Sequence, residues 1–98
     1  MTIQMQRNDD ELNVSLEGRL DTTTSPELEE ALKDSLEGIK ALTMDLAGLE
    51  YISSAGLRIL LATQKTMNRQ GTMKLTNVCD MVMDVFEVTG FREILTIE

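Results

Sequence analysis

The sequence contains no histidine, a single cysteine, and only three aromatic side chains, Tyr51, Phe86 and Phe91, among 98 residues. Without histidine the commonest general base, the commonest metal ligand and the usual third member of a nucleophilic triad are gone. The chain is therefore not expected to be an enzyme, to hold a metal or to need a cofactor of its own. Cys79 cannot form an internal disulfide, which agrees with a reducing compartment. It falls near a predicted helix start and reads as a small, partly buried residue.

Basic side chains are also scarce: nine Lys and Arg against seventeen Asp and Glu leave a formal net charge of -8. Nucleic acid and anionic membrane surfaces attract basic footprints, so neither is an expected partner. A protein carrying a basic patch fits better. There is no long hydrophobic run, and Met1 to Asn8 shows no basic segment followed by an apolar one. A cytoplasmic location is expected.

What the chain does have is aliphatic patterning. One domain over residues 1–98 is expected, large enough for a core but with little room for a deep active site. Ile3 and Met5, then Leu12, Val14 and Leu16, alternate with polar residues around the turn Asn8-Asp9-Asp10, which predicts an amino-terminal hairpin. Gly18 to Thr24 reads as a polar loop. Ser25 followed by Pro26 predicts an N-cap and a first helical turn, with Glu27, Glu29 and Glu30 favouring that end of the helix dipole.

Leu28, Ala31, Leu32, Ser35 and Leu36 form one helical face, and Gly38 follows as a left-handed stop. Ala41 to Leu46 reads as an inner strand covered by helices. A second helix is expected from near Ser54 to Gly71, with Leu57, Leu60 and Leu61 as its core stripe, Met67 as an extension and Arg58 solvated. Met73 and Leu75 mark another strand. Val78, Met81, Val82, Val85 and Phe86 mark a third helix ending at Gly90, and Ile94, Leu95 and Ile97 suggest a last short strand. The expected fold is α/β, with a mixed sheet of four to five strands, an N-terminal hairpin and three to four helices.

Right-handed crossovers gather the turns after the parallel strands on one rim, which places Asp21 to Thr24 beside Gly48 to Ser54. Ser53 and Ser54 precede a helical run, where free backbone N–H groups and the helix dipole can hold a phosphate as readily as a capping hydroxyl. Gly56 leaves space for another molecule's approach, and Tyr51-Ile52 offers apolar surface beside the hydroxyls. A serine hydrolase is not expected. Residues 52 to 56, Ile-Ser-Ser-Ala-Gly, carry half of the G-x-S-x-G elbow, no histidine is available, and several residues separate the strand end at Leu46 from Ser54.

Gly18-Arg-Leu-Asp21, Ser25-Pro26, Asp45-Leu, Tyr51-Ile-Ser-Ser-Ala-Gly-Leu57 and Val88-Thr-Gly-Phe91 together resemble the STAS domain, specifically the stand-alone anti-sigma factor antagonists of bacteria. The resemblance implies a partner switch. The unmodified protein would bind an anti-sigma factor that is also a serine kinase, phosphorylation would end that binding, and a metal-dependent serine phosphatase would restore it. In the family the acceptor serine follows an aspartate, in the pattern Asp-Ser-Ser/Thr-Gly-Leu. Aligned on Gly56-Leu57 the acceptor is Ser54, with Ser53 as the alternative, because Ser53 stands where the aspartate is usual and Ala55 where a second hydroxyl is usual. Asp21 matches a family aspartate at the partner surface, so Asp21, Thr22, Ser53, Ser54 and Gly56 form the expected docking rim of a monomer. A second implied reading is a small STAS subunit of an ABC-type lipid transport complex, which would bind its ATPase through the same rim.

Overall fold

A computed structural model describes residues 1–98. Strands β1 (Thr2–Asn8) and β2 (Glu11–Leu20) form the expected hairpin around Asp9 and Asp10, with Asp9 in the left-handed region at φ 57°. Helix α1 (Ser25–Ser35), strand β3 (Ala41–Ile52), helix α2 (Ser54–Gln70), strand β4 (Thr72–Thr76) and helix α3 (Asp80–Thr89) follow, and a single 3-10 turn covers Phe91–Glu93. The sheet order is β1-β2-β3-β4, antiparallel between the first two strands and parallel thereafter. Both crossovers advance across the sheet in the same direction, and right-handed connections then set α1 and α2 side by side.

Register explains the single core. Ile3 pairs with Leu16, Met5 with Val14, Val14 with Met44, and Met44 with Leu75, so one face of the sheet is apolar throughout. Leu28 and Leu32 of α1, Leu57, Leu60 and Met67 of α2, and Val82 and Phe86 of α3 pack into the same cluster. The other face carries exposed Gln4, Gln6, Asn13 and Lys74. β3 is the expected inner strand, set between β2 and β4 with its apolar face under the helices and its other face only partly covered.

Two expected boundaries also move. β3 does not end at Leu46; it continues to Ile52, and Gly18 to Leu20 is strand instead of loop. The reason is a pair of one-residue bulges: Ser15 pairs with Asp45 but Glu17 with Gly48, and Gly18 pairs with Leu49 but Arg19 with Tyr51. Each bulge breaks the two-residue period, so the buried residues of β3 run Leu42, Met44 and Leu46, then Leu49 and Ile52 at spacings of three. Gly48 fits the first bulge because a Cβ there would lie 2.6 Å from Glu17 Cγ. Asp45 supports it by accepting from Ala47 N at 3.0 Å and from Asn77 Nδ2 at 3.1 Å.

At the carboxyl end the expected strand shrinks to one parallel bridge, Leu75 with Ile97, made by Leu75 N to Thr96 O and Glu98 N to Leu75 O, each 2.9 Å. Leu95 is buried while Ile94 is half exposed. Helix faces differ in detail as well. In α2 the polar Thr63 and Gln64 are buried and Leu61 is only half-buried, while Met81 of α3 points outward. Gly38 and Gly90 do take left-handed conformations after α1 and α3.

Candidate functional site

The two central strands bring the site together. Leu20 of β2 pairs with Ile52 of β3, so Asp21 and Ser53 are the next residues along adjacent parallel strands, and Ser53 N donates to Leu20 O at 2.9 Å. Two helices start from this rim. β3's extension means that the serine turn follows the strand directly, not after a long loop.

At the start of α1 the hydroxyls and the carboxylate satisfy one another. Asp21 Oδ1 accepts from Thr23 N at 3.0 Å and Thr24 N at 3.1 Å, while Thr24 Oγ1 accepts from Asp21 N at 2.9 Å and donates to Arg19 O at 2.7 Å. The backbone N–H of Thr24, above all, holds the Asp21 carboxyl below its ordinary 3.8; desolvation opposes it, and the Thr23 N–H, the Thr24 hydroxyl and Arg19 assist. This turn displaces the expected cap. Thr24, not Ser25, is the N-cap, and Ser25 becomes the first helical residue, buried with its hydroxyl unpartnered. Asp21 and Thr24 fix the turn so that Ser25 already lies inside the helix.

The start of α2 is looser. Ser53 is its N-cap in extended conformation, half-buried, and its Oγ accepts from Gly56 N at 3.4 Å. Ser54 is the first helical residue and exposed. Gly56 does not open onto the rim as expected. It is buried, and a Cβ would lie 2.7 Å from Leu20 Cγ and 2.9 Å from Ile52 Cγ1, so the glycine lets α2 sit against the strand ends. Ile52 likewise belongs to the core. Tyr51 is half-buried beneath Arg19, whose guanidinium stacks 4.1 Å from the ring centroid and lies 3.9 Å from Asp21 Oδ2.

Between the two starts runs a groove of about 390 Å³, lined by Thr22, Ser25 and Glu29 on one side and Ala55, Arg58 and Ile59 on the other. Asp21, Thr22, Ser53 and Ser54 therefore share the rim, and Gly56 lies beneath it. Sequence reasoning placed Thr24 on the rim without giving it a bond to make there, and did not include Arg19 or Arg58. Arg58 was legible from its place four residues after Ser54 on one helix; the bonds of Thr24 depend on the bulged register. Cys79 is half-buried beside Leu49 O, at 3.5 Å, away from the serines.

The model of the STAS domain matches residues 2–98. The chain belongs to the STAS domain family. Among its relatives, the anti-sigma-B factor antagonist of Bacillus subtilis is 28% identical over 98 residues, covering 99% of this chain and 90% of the relative. An anti-sigma factor antagonist from Mycobacterium paratuberculosis superposes with a TM-score of 0.88 at 26% identity, covering 98% of this STAS chain and 83% of that one. SpoIIAA, an anti-sigma factor antagonist solved in unphosphorylated and phosphorylated forms, shares the fold at a TM-score of 0.77 in both, with 14% and 15% identity; the matches cover 99% of this chain, and 87% and 91% of those chains. No helix of this STAS domain is long and apolar enough to cross a membrane.

Proposed function

We propose that this STAS domain is an anti-sigma factor antagonist whose rim binds an anti-sigma factor with serine kinase activity, and that phosphorylation of Ser54 ends the binding. The observation that carries the reading is the contrast between the two serines. Ser54 is exposed at the first position of α2, whereas the Ser53 hydroxyl is half-buried and engaged by Gly56 N. Ser54 is substrate and not catalyst. ATP and magnesium belong to the kinase, and a metal-dependent phosphatase reverses the reaction, in the cytoplasm, on a monomer.

A phosphoserine adds about -1.5 to -2 charges and three acceptor oxygens. The start of α2 tolerates this charge, because its free N–H groups and dipole favour an anion. A fitted interface does not. Like charges brought together across an interface cost several kcal/mol, and each 1.4 kcal/mol is tenfold in affinity, so one phosphate weakens the complex by about two orders of magnitude without refolding the domain. Titration calorimetry of the unmodified and phosphorylated forms against the cognate anti-sigma factor tests this. Equal affinities, or recovery from lysate of a transporter ATPase with its permease and no kinase, would defeat the reading.

A further inference from the structure

We propose that Arg58 is the internal counter-ion of phosphorylated Ser54, closing over the phosphate from the next turn of α2. The inference rests on Ser54 being the acceptor and adds what the chain itself does with the phosphate. Residues four apart on a helix stand about 5–6 Å apart at Cβ, within reach of a guanidinium, and an anion placed N-terminal to the cation is the favourable order. Arg58 is exposed, and the ion pairs of the chain, Arg19–Asp21, Lys74–Glu98 and Arg92–Glu87, leave it uncommitted.

The surroundings sharpen the choice. The rim's other cation, Arg19, is held by Asp21 and stacked on Tyr51. Glu29 of α1 lines the same groove as Arg58 without pairing to it, and Ser25 lines that wall with its hydroxyl buried and unpartnered. A phosphate has two features that the Glu29 carboxylate lacks: a second charge, and a tether on the same helix. Guanidinium binds phosphate oxygens in a two-pronged, charge-assisted geometry that a lysine ammonium does not reproduce. Phosphorylation then adds negative charge to the rim and also withdraws its one free cation from any partner.

The test needs no kinase. Phosphoserine is incorporated at position 54 during translation, and the phosphorus resonance is followed by NMR from about pH 4 to pH 8, a window that brackets the second phosphate pKa near 6, in the otherwise wild-type chain, in Arg58→Ala, in Arg58→Lys and in Arg69→Ala. The expected result is a second phosphate pKa lower by about 0.4 of a pH unit with Arg58 present than in Arg58→Ala, an intermediate value for Arg58→Lys, and no change for Arg69→Ala at the far end of the helix. Identical titrations for wild type and Arg58→Ala would overturn the counter-ion while leaving the partner switch standing. Failure of any kinase to modify Ser54 would instead overturn the partner switch and, with it, the counter-ion role, whatever the titrations show.

Discussion

Two helices begin side by side on one rim, both from hydroxyl-rich turns, yet one start is closed and the other open. At α1, Asp21 and Thr24 consume each other's hydrogen-bonding capacity and Ser25 is sealed beneath them. At α2, a single 3.4 Å contact ties the Ser53 hydroxyl, and Ser54 is exposed. The first arrangement spends its polar groups on fixing the chain between β2 and α1. The second leaves a hydroxyl available at the positive end of a helix, where a phosphate is electrostatically welcome. Residue type alone does not separate these outcomes; the register of β2 against β3 does, because it sets Asp21 and Ser53 next to each other at the ends of paired strands.

The largest expected effect comes from the residue that seats α2 at all. Gly56→Ala gains up to ~1 kcal/mol in helix propensity but forces a Cβ into Leu20 and Ile52, and overpacking of this kind costs about 1–3 kcal/mol. A net fall in melting temperature, followed by circular dichroism, is expected; an unchanged or raised value would show that α2 rests loosely on the strand ends.

Next comes the closed start. Asp21→Ala removes the acceptor of Thr23 N and Thr24 N and lowers the melting temperature at neutral pH. Because the folded-state pKa of Asp21 lies below the ordinary 3.8, its contribution is complete above that value and is lost as the pH falls through the lowered one. The gap between wild type and Asp21→Ala should therefore close in melts carried below pH 3.8. A gap that persists in acid would mean that the carboxylate is not what closes the turn.

Smaller effects separate the serines. Ser53→Ala loses a long capping bond and should cost about 0.5–1 kcal/mol in denaturant unfolding, whereas Ser25→Ala deletes a buried hydroxyl that has no partner and should be neutral or stabilising. If Ser25→Ala proves the more damaging of the two, the assignment of Thr24 as the α1 cap is wrong.

Much of this was legible in the amino-acid order. Alternation placed the hairpin and β4, helical spacing placed α1, α2 and α3, and the Ser-Ser-Ala-Gly turn pointed to the rim. What escaped has local causes. The bulges before Gly48 and at Glu50 break the two-residue period, which hid the second half of β3. Ser25 before Pro26 looked like a cap because the competing Asp21 lies four residues upstream, across a turn whose shape is set by strand pairing. Gly56 looked like room for a partner until the positions of Leu20 and Ile52 showed that the room is already filled.

The most direct test of the open start is the mass of the chain after incubation with its cognate kinase and ATP, measured for wild type, Ser53→Ala and Ser54→Ala. Wild type and Ser53→Ala should each gain a single phosphate and Ser54→Ala none, whereas modification of Ser54→Ala as complete as that of wild type would contradict the account.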